Sequence, residues 1–196
     1  MKKLLITGFD PFGGATVNPS WEAVRLLPGV VGGYELTKLQ IPTVFGKAAE
    51  AVLSAAEILR PDVILCIGQA GGRGNVTPEV VAINLQEARI PDNEGNQPVN
   101  TPVSPDGPAA YFSTVPVREM VAALQNAGIP GSLSFSAGAF VCNDVLYTLL
   151  HRYHGTQTRV GFIHVPHLPQ QAKPDGPSLP LNTMTAALET AIKALG

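Results

Sequence analysis

In Asp62-Val63-Ile64-Leu65-Cys66-Ile67, one acidic residue opens a short apolar run that ends at the glycine-rich turn starting with Gly68. Such a run, bounded by turn residues, predicts a strand buried on both faces of a sheet. Residues 46–59, just before it, carry apolar side chains at helical spacing, and Pro61 ends that predicted helix. A helix followed at once by a buried strand indicates an α/β protein with a largely parallel sheet.

The same alternation of elements continues along the chain in both directions. Further strands are predicted at 3–7, 34–41, 79–85, 133–137 and 159–165, and further helices at about 19–27, 117–124, 142–153 and 181–195. We therefore expect residues 1–196 to form one α/β domain, with a twisted, largely parallel (mixed) sheet flanked by helices on both faces. Residues 90–110, rich in Pro, Asp, Asn and Gly, are predicted to form a long irregular loop.

The composition excludes several classes of protein. With 13 Lys and Arg against 15 Asp and Glu, the net charge of −2 is not that of a nucleic-acid-binding protein. No apolar run is long enough to span a membrane, and no signal-peptide core follows Met1-Lys2-Lys3. Two cysteines do not make a disulfide framework. We expect a cytoplasmic, globular protein that binds neither nucleic acid nor membrane.

Stretches of unusual composition follow four of the predicted strands. They occupy residues 8–14, 68–72, 138–143 and 164–167. Ligands of open α/β sheets bind at the carboxyl ends of the strands. If the strands are parallel, all four stretches meet at one edge of the sheet, and this convergence predicts the functional site.

Cys142 is the candidate nucleophile in this set. It lies where a predicted turn gives way to a helix, and a helix N-terminus stabilises a thiolate. The free backbone N–H groups of the first turn could also bind an oxyanion. The alternative is that Cys142 is a small buried side chain that packs the helix start. Cys66, in the middle of an aliphatic strand, is expected to belong to the core.

His164 is the candidate base for such a nucleophile. In the strand 159–165, it shares one face with Val160 and Phe162, and it lies at the end of the strand near the other predicted site loops. A structural, half-buried histidine is the alternative. His167, beyond Pro166, is a rival for the same role.

Glu79 is the candidate for orienting the imidazole. In the predicted strand 79–85 it shares a face with Val81, Ile83 and Leu85, and a carboxylate on an apolar face needs a partner. A histidine would satisfy it. The alternative is that Thr77-Pro78 kinks the chain and turns Glu79 to solvent.

Two further patterns give weaker indications. His151 and His154 form a second His-x-x-His pair beside His164 and His167, but a zinc site needs three or four converging ligands. The glycine loop 68–74 resembles a phosphate cradle without the P-loop lysine. No metal is expected; a metal-dependent hydrolase and a nucleoside-phosphorylase-like binding protein remain as alternatives.

Six segments, in order along the whole chain, carry a resemblance to a known family. They are Thr7–Gly14, Asn18–Trp21, Gly68–Arg73, Ala88–Asn93, Ala139–Asn143 and Gly161–Pro166. The chain resembles the pyroglutamyl peptidase I (pyrrolidone-carboxylate peptidase) family of cysteine peptidases. The resemblance implies a cytosolic homo-oligomer, commonly a tetramer, that removes N-terminal pyroglutamate from peptides through a thioester acyl-enzyme and without a cofactor. It implies Cys142 as nucleophile, His164 as base and Glu79 as orienting acid.

A binding pocket for pyroglutamate also follows from the resemblance. This flat, uncharged lactam needs aromatic walls and neutral hydrogen-bond partners. The candidate substrate-binding residues are Phe9, Phe12, Asn18, Gln69, Phe140 and Val141. Arg89 resembles the family's arginine near the oxyanion site, where it would assist the backbone N–H of Cys142; its alternative is an ion pair within the 90–110 loop. Val80 and His167 depart from the family pattern of a basic and an aromatic residue at these positions.

Overall fold

A computed structural model describes residues 1–196. Its elements, in chain order, are β1 (Lys2–Phe9), α1 (Pro19–Leu26), β2 (Val30–Val31), β3 (Tyr34–Ile41), α2 (Lys47–Leu59), β4 (Val63–Gln69), β5 (Thr77–Pro78), β6 (Val81–Ile83), β7 (Ala110–Phe112), α3 (Val117–Asn126), α4 (Val141–Arg152), β8 (Arg159–Val165) and α5 (Leu181–Lys193). A single 3₁₀ turn covers Pro169–Gln171. None of the helices has the length and apolar character that crossing a bilayer requires.

The main sheet has six strands in the order β2-β3-β1-β4-β8-β5. Strands β3, β1, β4 and β8 are parallel, whereas the two-residue edge strands β2 and β5 run antiparallel to their neighbours. Strands β6 and β7 pair antiparallel as a separate two-stranded sheet. The sheet is therefore mixed with a parallel centre, as the sequence predicts.

Alternate side chains of the central strands serve two separate cores. Leu65 and Ile163 face one core, which α1, α3 and α5 cover with buried residues such as Val24, Met120 and Leu188. The second core takes the opposite side chains and is covered by α2 and α4; its members include Leu5, Ile64, Cys66, Phe162, Val52 and Val145. Helices thus lie on both faces of the sheet, as predicted, and α4 lies on the face to which Phe162 points.

Two predicted strands are not formed as expected. Residues 79–85 were expected to be one strand, but only 77–78 and 81–83 are extended, and these pair with different partners. Pro78 lacks an N–H, which limits it to a sheet edge. Residues 133–137 form no strand; they make one isolated bridge, between Ser134 and Glu79.

The side-chain alternation predicted for 79–85 is consequently wrong. Ala82 is fully buried in the second core, whereas Ile83 is exposed at the surface. Glu79 and Ile83 do not share a face because the chain leaves β8 after Glu79 and pairs with β7 from Val81. Pattern within a segment cannot reveal such a change of partner.

Candidate active site

The carboxyl ends of β1, β4 and β8 meet at a cavity of about 190 Å³. Most of the predicted site residues line it, namely Phe9, Phe12, Asn18, Gln69, Phe140, Cys142 and His164. The other lining residues are Thr43, Ala70, Arg73, Ala137 and Gly138. Cys142 and His164 thus lie at one cavity although they belong to α4 and β8. The glycine-rich segments that follow the strands form its walls, in accord with the expected convergence at the sheet edge.

His164 is joined to Glu79 behind the cavity. Its Nδ1 lies 2.7 Å from Glu79 Oε1, and both side chains are buried. Phe162 and His164 point to the same face of β8, the face that α4 covers. With Nδ1 held by a carboxylate, Nε2 is the ring nitrogen available to exchange a proton. His167 takes no part in this contact.

Backbone pairing fixes the position of Glu79. Thr77 pairs with His164 in the antiparallel β5–β8 contact, and the Glu79 N–H donates to Phe162 O at 2.9 Å. The side chain is fully buried instead of facing solvent, so the alternative in which Thr77-Pro78 turns it outward is wrong. Val80, one of the departures from the family pattern, donates its N–H to Ser134 O at 2.8 Å.

Arg73 is a site residue that the sequence reasoning missed. Its Nη1 donates to Glu79 Oε1 at 2.8 Å and to Thr77 Oγ1 at 2.7 Å, and its Nη2 donates to Ser136 O at 3.0 Å. It therefore ties the buried carboxylate to the 134–138 wall of the cavity. Its place in Gly-Gly-Arg, directly after a glycine turn at a sheet edge, was the available signal.

These contacts keep the Glu79 carboxyl ionised. Burial by itself raises its pKa, but the hydrogen bond and charge of His164, followed by Ser134 and Arg73, outweigh that effect and lower the pKa below its ordinary value. Glu79 Oε2 is buried and accepts no hydrogen bond. Both strong donors therefore act on a single carboxylate oxygen, which sets the orientation of the imidazole.

Cys142 is the second residue of α4 and lies partly exposed at the cavity. Burial raises the pKa of its thiol to about 12, and the Glu79 charge adds to this rise; Arg73 and the backbone N–H of Cys142 act in the opposite direction. The helix N-terminus thus does not yield the low thiol pKa that the sequence indicated. A base must take the proton for the sulfur to react.

Gly68 makes room for this sulfur. A Cβ atom at Gly68 would lie 3.0 Å from Cys142 Sγ and 2.6 Å from Cζ of Phe162. Glycine at position 68 therefore allows β4 to lie close to the Cys142 sulfur. Cys66, by contrast, is fully buried in the second core, where burial raises its thiol pKa to about 12.

The cavity walls are aromatic and neutral. Phe140 packs against Phe12 and Phe45, with ring centroids 6.1 and 5.2 Å apart. Gln69 Oε1 is buried at the cavity and has no hydrogen-bond donor. Such an acceptor suits an N–H group of a ligand, since an unpaired buried carbonyl is costly.

Asn18 has a structural task at the cavity wall. Its Oδ1 accepts from the N–H and the hydroxyl of Ser20, capping α1, and its Nδ2 donates to Asp10 O at 2.9 Å. The amide therefore fixes the 10–18 loop. The predicted contact of Asn18 with a ligand would be a second role for this side chain.

The structure does not bring Val141 or Arg89 to this cavity. The Val141 side chain is fully buried in the second core, behind the nucleophile. Arg89 is exposed and lines an adjoining cavity together with His167. His167 packs on Gly71, where a Cβ atom would lie 2.5 Å from its ring.

The 90–110 loop braces the rim of the site through Asp92. Its carboxylate accepts backbone N–H groups of Phe45, Glu94 and Asn96. Burial opposes ionisation, but these bonds and the Asn96 side chain lower the pKa of Asp92. Asn93 then donates to Pro11 O at 2.9 Å, which connects the loop to the turn that carries Phe12.

The other two histidines lie elsewhere. His151 Nδ1 is 2.8 Å from the Tyr111 hydroxyl, and the ring of His154 packs on Tyr111 at 5.3 Å. The two His-x-x-His pairs do not converge. No group of three or more His, Cys, Asp and Glu side chains is arranged to hold a metal ion.

Comparison with known proteins gives concordant matches over the full length. The model of the pyroglutamyl peptidase family matches residues 2–196. A pyrrolidone-carboxylate peptidase from Escherichia fergusonii is 54% identical over 196 residues, covering 98% of this chain and 92% of that protein. One from Streptococcus pyogenes is 49% identical over 197 residues, with the same coverage of 98% and 92%. The crystal structure of Bacillus amyloliquefaciens pyroglutamyl peptidase I superposes with a TM-score of 0.95 at 49% identity, covering 100% of this chain and 97% of that one.

Proposed function

Because this chain belongs to the pyroglutamyl peptidase family, whose members are cysteine-type hydrolases, we propose that it removes N-terminal pyroglutamate from peptides with a triad of Cys142, His164 and Glu79. One observation carries the proposal. The cavity that Cys142 and His164 share has the Glu79–His164 contact of 2.7 Å directly behind it. This is the order of nucleophile, base and orienting acid that acyl transfer requires.

The first step acylates the enzyme. As the Cys142 sulfur attacks the pyroglutamyl carbonyl carbon, His164 Nε2 takes the thiol proton and the carbonyl oxygen becomes an oxyanion. Burial raises the pKa of this thiol, so a base at the cavity is needed to take its proton. When the C–N bond breaks, the imidazolium gives that proton to the leaving amine, and a thioester remains on Cys142.

The second step hydrolyses the thioester. His164 takes a proton from water, the resulting hydroxide attacks the thioester carbonyl, and the proton passes to the departing sulfur. Free pyroglutamate and the Cys142 thiol are restored. Glu79 stays ionised throughout and holds the imidazole in the tautomer that exposes Nε2, which its lowered pKa supports.

The oxyanion is stabilised at the start of α4. Cys142 is in the first turn, where backbone N–H groups have no partner within the helix. In this proposal the exposed Arg89 side chain turns from the adjoining cavity toward the oxyanion when a peptide binds. The free N–H groups at the start of α4 thus stabilise the negative charge that develops on the substrate oxygen.

Specificity for the lactam ring comes from the cavity walls. The adjoining Phe12 and Phe140 rings form an aromatic wall for the flat pyroglutamate ring, and Gln69 Oε1 accepts the lactam N–H. Proline lacks the ring carbonyl and is protonated at the ring nitrogen at neutral pH. A prolyl substrate would place that charge in a neutral cavity, so we expect strong discrimination.

The test is hydrolysis of the pyroglutamyl aminomethylcoumarin amide beside its prolyl analogue. Wild type should cleave only the former, and Cys142→Ala should lose at least about 10³-fold in kcat/KM. Cys66→Ser is the matched control and should retain activity. A fully active Cys142→Ala or Cys142→Ser variant, or equal rates on both amides, would overturn the proposal.

An assembly of several copies also remains part of this proposal. Phe112 and Ile83 lie on the same small β6–β7 sheet and are 73% and 37% exposed. A contact between copies would cover them. Light scattering of wild type and Phe112→Asp tests it: a smaller assembly for the variant is expected, and an unchanged mass would exclude this surface.

A further inference from the structure

A second cavity, of about 540 Å³, adjoins the one that holds Cys142. The two cavities share Phe12 and Gln69 as a common wall. The first cavity, of about 190 Å³, has room for a lactam ring but not for the amino acids that follow it. A bound peptide must therefore continue outside it, and the neighbouring cavity is contiguous with its wall.

The charged side chains that line this second cavity are all positive. Arg89 and Lys173 line it, both are exposed, and no acidic side chain is among its lining residues. Neither cation forms a salt bridge within the chain. Asp175 belongs to the same turn as Lys173 but does not line the cavity. Cations without an acidic partner in the lining favour a carboxylate on the ligand.

The loop that presents Lys173 is held in place. Leu179 N–H donates to His167 O at 3.0 Å and so closes the loop at its base. Within it, Gln171 Nε2 donates to Val17 O at 3.0 Å, and Gly176 N–H donates to Lys173 O at 2.8 Å. Residues 166–180, whose purpose the sequence leaves open, thus form a fixed wall of the second cavity.

We propose that the second cavity binds the part of the peptide that follows pyroglutamate and favours an acidic residue immediately after it. The inference rests on the proposed function, since it places the leaving peptide next to Cys142. Lys173 attracts the carboxylate, Arg89 turns toward the oxyanion, and the neutral first cavity holds the lactam. The preference is electrostatic, and added salt weakens it because Lys173 is exposed.

The experiment compares two peptide amides of equal size, pyroglutamyl-Glu-Ala-amide and pyroglutamyl-Gln-Ala-amide, by chromatography of the released dipeptide amide. At low salt, wild type should prefer Glu by at least about threefold in kcat/KM. The ratio should fall toward one in Lys173→Gln and at high salt, and below one in Lys173→Glu. Lys193→Gln, which removes an equal charge from the end of α5, should leave the ratio unchanged.

The neutral aminomethylcoumarin amide separates the two proposals. Lys173→Gln should change the rate on this amide much less than the rate on the Glu peptide, because that leaving group carries no carboxylate. If wild type cleaves it yet shows a Glu-to-Gln ratio of one, or a ratio that Lys173→Gln leaves intact, the acidic preference is overturned while the peptidase function stands. If wild type does not cleave it at all, the peptidase function itself fails.

Discussion

Gly68 lies against Cys142 so closely that a Cβ atom on the glycine would come within 3.0 Å of the sulfur. The same atom would lie 2.6 Å from Phe162 Cζ. The position of the Cys142 sulfur therefore depends on the absence of a side chain at Gly68 in β4 as well as on α4.

Gly68→Ala should displace the sulfur or the Phe162 ring. Overpacking of this kind costs about 1–3 kcal/mol of stability, and a small displacement of a nucleophile reduces the rate by about tenfold or more. We expect kcat to fall while the protein stays folded by circular dichroism. Gly74→Ala, on the same loop, meets only Pro177 Cβ at an ordinary 3.5 Å and should retain activity. Equal activity of the two variants would contradict the packing argument.

Iodoacetamide should alkylate one thiol per native chain. Cys142 is partly exposed at the cavity, whereas Cys66 is fully buried. Peptide mapping should find the label on Cys142 alone, with loss of activity in parallel, and on both cysteines only after unfolding. Labelling of Cys66 in the native protein would show that the second core opens more readily than its packing indicates.

Glu79→Gln should change how stability depends on pH. The native pKa of Glu79 is lowered, so its carboxylate contributes stability that is complete above the unfolded value of about 4.3 and is lost as pH falls through the native value. Urea midpoints of wild type and variant should therefore differ at pH 7 and converge as pH falls below about 4. Glu119→Gln, at an exposed site on α3, should follow wild type at every pH. A constant gap between Glu79→Gln and wild type would refute the linkage.

Arg73→Met should lower kcat more than it raises KM. It removes the donor to Glu79 Oε1 and the tie to Ser136 O, and hydrogen bonds to a buried charge are worth about 1.5–3 kcal/mol. We expect at least a tenfold fall in kcat by that magnitude, partly restored in Arg73→Lys. Arg118→Met, which alters an exposed arginine of α3, is the control. A change in KM alone would assign Arg73 to substrate binding.

Gln69→Met should weaken selection of the lactam. The variant keeps the side-chain size but removes the buried acceptor, so KM for the pyroglutamyl amide should rise by about tenfold. The rate on the prolyl amide should change little. Gln157→Met, at an exposed position, should match wild type on both. An unchanged KM would mean that Gln69 Oε1 does not meet the substrate.

The sequence predicted the elements whose evidence is local. Helical spacing identified α2 and α5, and the aliphatic runs identified β1, β4 and β8, because periodicity reflects which face is buried. It also placed His164 on the face of Phe162, where the cavity lies. These features depend on neighbours within a few residues.

What the sequence did not reveal depends on distant partners. The break between β5 and β6 arises because Thr77 pairs with His164 while Val81 pairs with Phe112. The role of Arg73 rests on Ser136, far along the chain, and the raised pKa of Cys142 rests on how deeply α4 begins in the core. Helix position alone indicated the opposite sign for that thiol.

The odd and even positions of β8 have unlike neighbours: Phe162 and His164 on one side, Ile163 and Val165 on the other. Removing or inserting a single residue ahead of His164 would exchange these sides and send the imidazole into the apolar layer beneath α5. Relatives of this enzyme can therefore diverge in this strand by substitution but not by a one-residue change in its length.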